Sequence, residues 1–195
     1  MLTDKRKKEL DTLAIWASCA GDRHYFNMEQ GVFDKYMTGR EDYETYKPYT
    51  LQREMGFDKF KADMAEKIAA INSAEELHYM VADHNYDSGR WLLEQVVTHP
   101  ACDLITAKMI YWLSSPCYYY TEFGSPSKCP EDNINIGYAK LIAVLETKAN
   151  GEGFQTGMKL DNEIVFEQPP GLDYDTPPYC QMPEVFSTCV VKVAL

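Results

Sequence analysis

The chain has 195 residues, 45% of them hydrophobic and 25% charged, values that support a packed core and exclude wholesale disorder. Its net charge of −11 repels phosphate backbones, which argues against a nucleic-acid partner, and the same field steers a basic protein inward. The longest apolar stretches, such as Leu141–Leu145, are too short to span a bilayer.

The charged opening from Met1 to Leu13 leads into no apolar secretory core, so a cytoplasmic protein without a membrane anchor is expected. In that compartment Cys19, Cys102, Cys117, Cys129, Cys180 and Cys189 are expected as reduced thiols. No C-x2-C pair occurs among them, which removes the usual structural zinc signature. Cys102 reads as a small buried hydrophobe.

In chain order, residues 3–19 are expected as a helix capped by Thr3, with Leu10, Leu13, Ala14 and Ala17 on one face. Lys5, Arg6, Lys7 and Lys8 oppose the dipole of its first turns, and Gly21 is its stop. Residues 22–50 hold many aromatics interrupted by Gly31, Gly39 and Pro48, so short helices are expected. Residues 52–71 carry a regular stripe of Phe57, Phe60, Met64, Ile68 and Ile71. Ser73 and Glu76 form a capping box, followed by Leu77, Met80, Val81 and His84 on one helical face. A turn over residues 85–89 ends that helix: Asn85 tolerates left-handed backbone, and Asp87 or Ser88 opens the next helix, about 89–98. Asp103 caps a helix over 104–114. Residues 116–133, with Pro116, Gly124, Pro126 and Pro130, read as a loop. A helix over about 134–149 follows, with Tyr138, Leu141, Ile142 and Leu145 inward and Asn150-Gly151 as its stop.

From Gly151 the composition changes, with five of the ten prolines. Glu163–Glu167 and Val185–Val193 have strand-like composition, separated by Pro169-Pro-Gly171 and Pro177-Pro178. The expectation is a mainly α protein: a helical domain over 1–150, a bundle of about six helices. A β-hairpin or extended arm over 151–195 would pack on it.

Hydrolase, phosphate-loop and dinucleotide motifs are absent, and no H-E-x2-H occurs. The best metal candidates are His78, Asp83, His84 and Asp87. His78 and His84 are six residues apart and diverge on a regular helix, so they cannot share an ion while both stay helical, whereas Asp83, His84 and Asp87 can converge if the helix breaks at Asn85. The alternative gives His84 a helix-end role and Asp87 a capping role. Cys102 three residues from His99 could pair as nucleophile and base, but no third orienting group is visible. No catalytic set and no cofactor are therefore expected. Acids and tyrosines do cluster: Glu41, Asp42, Tyr43, Glu44 and Tyr46, then Glu163, Glu167, Asp173, Tyr174 and Asp175. On exposed loops this mixture is suited to gripping a basic surface.

The stretch Glu75–Cys117 resembles a bacterial family, domain of unknown function 4274. The resemblance rests on Leu77, His78, Asn85, Tyr86, Asp87, Gly89, Pro100, Cys102, Asp103, Leu104, Thr106, Ala107, Tyr111 and Trp112. The chain departs from it at Ile105, where the family usually has glycine, and at Ser88, in place of a second aspartate. The resemblance implies a compact bacterial helical module, in settings that suggest polymorphic-toxin or immunity loci. Together with acidity and the Tyr/acid loops, it points to an immunity protein neutralising a cognate basic toxin. The alternatives are a general interaction or scaffold protein and a metal-assisted enzyme.

Overall fold

The computed structural model describes residues 2–40, 43–158, 163–166, 182–186 and 190–193. The chain divides into two compact units, Met1–Val96 and Val97–Leu195. It is mainly helical, with ten α-helices among the described residues. None of these is long and apolar enough to cross a membrane.

The first unit opens with α1 (Asp4–Cys19), where the Thr3 hydroxyl accepts the amide of Arg6. Leu10 and Ala17 are buried on its inner face. The chain then makes α2 (His24–Asn27), α3 (Gln30–Met37), α4 (Lys47–Met55), α5 (Phe57–Ala69) and α6 (Ala74–Ala82). Pro48 does not interrupt a helix; it sits in the first turn of α4, where its missing amide proton costs nothing. The expected 52–71 helix is two helices, because Gly56 takes φ 89° between α4 and α5, a conformation that favours glycine. Phe57, Phe60, Met64, Ile68 and Ile71 are all buried.

Only half of the expected capping box forms. Ser73 accepts the Glu76 amide, but the Glu76 carboxylate is taken by Arg6, at 2.8 Å from Nε and 2.6 Å from the terminal nitrogen. This two-pronged pair joins α1 to α6 and holds the Glu76 carboxyl below its usual range. Gly21 is needed for a reason its position as a helix stop did not indicate. A Cβ there would lie 2.6 Å from Trp91 Cβ.

The division between the units falls inside α7 (Trp91–Thr98). The second unit holds α8 (Leu104–Leu113), α9 (Pro116–Phe123) and α10 (Ile136–Asn150). Helix α9 and the 3₁₀ turn Pro126–Lys128 replace the loop expected over 116–133. The prolines there start helical turns rather than prevent them. Ser115 at φ 59° redirects the chain, Pro116 opens α9, and Gly124 at φ 77° closes it. Tyr119 and Tyr120 thereby become core residues. Leu141, Ile142 and Leu145 of α10 are buried.

Glu163–Phe166 (β1) and Val190–Val193 (β2) pair antiparallel, with Glu163 opposite Val193. They are far apart in sequence, so they do not form the short hairpin expected, and Glu184–Phe186 is a 3₁₀ turn. The turn prolines, together with Cys180 and Cys189, lie outside the described residues. Cys19, Cys102, Cys117 and Cys129 are free thiols.

A buried polar knot sits inside this unit. The hydroxyls of Tyr111 and Tyr120 donate to the same Glu146 oxygen at 2.9 and 2.8 Å. Phe186 stacks on Tyr111 at 4.2 Å. Burial raises the Glu146 carboxyl, and the two hydroxyls only partly offset it. A carboxyl raised in the folded state stabilises the fold at low pH, and that stability is lost as pH rises through the raised value. Glu146→Gln keeps the acceptor and removes the charge. Urea titrations from about pH 4 upward should show wild-type stability falling relative to Glu146→Gln; parallel profiles would contradict the assignment.

Two glycines should respond in opposite directions. Gly21→Ala forces Cβ into Trp91 and should cost about 1–3 kcal/mol. Gly31→Ala, exposed in α3 with no contact under 3.5 Å, should gain roughly 0.5–1 kcal/mol. Chemical denaturation of both variants checks this.

Candidate functional site

The first unit carries a cleft of about 960 Å³. Helix α1 supplies its floor. Asp11, Ala14, Ile15, Ser18 and Cys19 line it, at the spacing that places residues on one helical face. Asp22 continues the row just past the helix. Tyr79, Met80 and Asp83 from the end of α6 form one wall, with His84, Asn85, Ser88 and Gly89 of the following turn. Tyr25 of α2, Thr45, and Tyr49 of α4 form the other. Three exposed carboxylates, Asp11, Asp22 and Asp83, face this space, and among the described residues no lysine or arginine lines it.

The walls are fixed by residues that do not themselves face the cleft. Fully buried Gln52 donates to the carbonyls of Cys19 and Asp22, both at 3.2 Å, closing the C-terminus of α1. Arg53 donates to the carbonyls of Tyr25, Phe26 and Met28 at 2.8, 3.0 and 2.7 Å, which holds α2 and its tyrosine in place. Tyr79 lines the cleft with Asp11, and burial together with this nearby charge raises its pKa. Burial raises both the Tyr49 hydroxyl and the neighbouring Cys19 thiol, Cys19 to about 11. Cys19 is therefore a protonated packing residue and not a nucleophile.

Tyr25 and Tyr49 belong to a larger array. Their rings lie 4.1 Å apart, and Tyr25 also meets Tyr36 at 5.0 Å with the two hydroxyls 2.8 Å apart. Tyr46 contacts Tyr36 and Tyr49, and Tyr43 continues outward from Tyr46. The Arg40 guanidinium covers Tyr36 at 4.7 Å and Tyr46 at 5.7 Å and donates to the Tyr36 carbonyl. Tyr43, 61% exposed, is the outer end of the array.

The structure redistributes the acid and tyrosine residues singled out from sequence. Tyr43 and Tyr46 join the array, while Glu44 is tied to Lys47. Glu41, Asp42, Glu167, Asp173, Tyr174 and Asp175 lie outside the described residues, and Glu163 is described only as the start of β1. Of the acids that reach the cleft, Asp83 is singled out by sequence only as a metal candidate, and Asp11 and Asp22 are not singled out. The signal for them is the helical spacing of Asp11, Ser18 and Asp22, which the stronger apolar pattern of the same helix obscures.

His78 is fully buried in α6, whereas Asp83 and His84 open onto the cleft. His84 does not extend the apolar face of α6. The helix ends at Ala82, and the His84 Nε2 lies 2.8 Å from the Gly89 carbonyl. Burial lowers its pKa. Among the described residues, no three His, Cys, Asp or Glu side chains gather as metal ligands. Left-handed backbone falls on Gly89, at φ 90°, and not on Asn85. The Asn85 carbonyl instead accepts the Ser88 amide. Asp87, described by its backbone alone, and Ser88 lie in the 3₁₀ turn Tyr86–Ser88 ahead of α7.

In the second unit Asp103, buried, accepts the Ile105 amide at 2.9 Å and so caps α8. Its other oxygen accepts the Met158 amide at 3.2 Å. The Leu104 amide donates to the Gln155 carbonyl, and Gln155 donates back to Cys102. Asp103 thus both starts a helix and pins the segment after α10. Burial pushes the Cys102 thiol up to about 12. His99 Nδ1 accepts the Ala101 amide. Neither is arranged as a nucleophile–base pair.

The concavity is thus a carboxylate- and tyrosine-lined surface on a helical scaffold. A family model, domain of unknown function DUF4274, matches residues 72–148. The match covers the resemblance read over Glu75–Cys117 and continues into α10. No curated protein and no solved structure matches the chain. The matched segment contributes the end of α6 and the 83–89 turn to one cleft wall.

Asp103→Ala removes a helix cap and the partner of the Met158 amide. It should cost roughly 2–3 kcal/mol in thermal or urea unfolding, with Asp103→Asn recovering part of the loss. An unchanged midpoint for Asp103→Ala would contradict the capping role.

Proposed function

We propose that this is an acidic protein-binding module, an immunity protein that neutralises a cognate basic toxin in the cytoplasm of the producing bacterium. The single observation that carries the reading is the cleft of the first unit, where Asp11, Asp22 and Asp83 stand among Tyr25, Tyr49 and Tyr79 with no lysine or arginine among the described lining residues. Carboxylates placed this way replace the substrate phosphates in a basic active-site groove, and tyrosines add amphipathic contact area at small entropic cost. The net charge of −11 accelerates the encounter with such a partner and disfavours nucleic acid. The Glu41–Tyr46 and Glu163–Asp175 acids add to that field, and the DUF4274 match is consistent with a toxin–immunity setting. The Arg40-capped tyrosine array beside the cleft is the second contact region, with Tyr43 at its exposed end.

The reading is tested by mixing the purified protein with the toxin domain encoded beside its gene. A complex at or below micromolar concentration, weakening as salt rises, with loss of toxin activity is the expected outcome. No complex at micromolar concentration, or a complex that leaves the toxin active, would contradict it.

A further inference from the structure

We infer that the cleft accepts two arginine side chains from one extended segment of the protein partner, one at each acid-and-tyrosine end. The inference rests on the binding-module reading and specifies its ligand chemistry. At one end Asp11 and Tyr79 line the cleft together, and Asp83 follows Tyr79 by four residues, just past the end of α6. At the other, Asp22 follows α1 beside the paired rings of Tyr25 and Tyr49. Asp11 and Cys19, which lie on the same floor, are eight residues apart, about 12 Å along the helix axis. A single guanidinium cannot reach both ends. Two side chains on the same face of an extended strand, four residues apart, are separated by roughly 13 Å and match that spacing.

Arginine is favoured over lysine because a planar guanidinium stacks on an aromatic face while bonding a carboxylate in-plane. The unit shows arginines held this way internally, each closer to its nearest ring than the unit's lysines, which lie 5.7–6.0 Å from Tyr79, Trp91 and Trp16. Arg40 lies over Tyr36 and Tyr46, Arg23 over Phe57 at 3.9 Å while paired with Asp58 at 2.8 Å, and Arg53 over Phe33 at 4.5 Å. The carboxylates have room for further donors. Asp22 accepts the His24 amide at 2.7 Å, which leaves it with open lone pairs, and Asp11 is exposed on the cleft floor. Lys7 lies over the Tyr79 ring at 5.7 Å and competes there with an incoming guanidinium, so removing it should aid binding.

The test is a chemical-shift titration of the full chain with an acetylated, amidated peptide, Gly-Arg-Ser-Gly-Ser-Arg-Gly. Controls are its two-lysine counterpart and a peptide with adjacent arginines. The inference expects saturable binding at least fivefold tighter than either control. It also expects at least fivefold weakening by Asp11→Asn or Asp22→Asn, which keep an acceptor oxygen and remove only the charge, and tightening by Lys7→Ala. Absent saturation, equal binding of the lysine peptide or indifference to both substitutions would overturn it. A toxin complex indifferent to Asp11→Asn and Asp22→Asn would also overturn it while leaving the immunity reading intact. Peptide binding as expected with no toxin complex would remove the immunity reading alone.

Discussion

Helix α1 packs Leu10 and Ala17 inward beside α5 and α6 and leaves the Asp11–Ser18–Asp22 face open. The cleft exists because of that division. Burial of the apolar face supplies most of the stabilisation, since each fully buried side chain contributes on the order of 1.5–3 kcal/mol. The Arg6–Glu76 pair is partly exposed, with 38% of the Arg6 side chain accessible, and such a pair adds about 1 kcal/mol or less. Its importance is geometric. Two parallel hydrogen bonds fix where α6 lies along α1, and so fix which residues face each other across the cleft.

Local signals were legible in the sequence wherever one residue type has one dominant use. Thr3, Ser73 and Asp103 are caps because a short side-chain oxygen at a helix start has little else to do. The Phe57–Ile71 stripe is buried because its spacing allows nothing else. The helix count of about six failed where two local rules compete. Pro116 and Pro126 read as loop breakers, yet proline is also a good first residue of a helix, and the burial of Tyr119 and Tyr120 decided in favour of α9. Gly56 lay within a convincing periodic run and nevertheless divides it.

Tertiary partners were the illegible part. Nothing local says that Glu76 answers Arg6 instead of its own cap, that Gln52 closes α1, or that Gly21 is small for the sake of Trp91. These are long-range choices that only packing makes. The candidate site was half legible for the same reason. Tyrosine and acid as the working chemistry could be read from composition, but the grouping followed sequence neighbours, whereas the cleft gathers Asp11, Tyr49, Tyr79 and Asp83 from three helices.

The family-matched segment has a double character. Asp103 and the buried Ala107 and Tyr111 serve the internal structure of the second unit, while the turn after α6 forms part of the cleft wall in the first. The polar residues near positions 83–89 therefore both end a helix and shape a surface. Hydrogen exchange on the complex with the basic partner tests the central claim most directly. The account predicts slowed exchange in the backbone of residues 20–25 and 83–90. Protection confined to residues 97–158, with those segments unchanged, would contradict it.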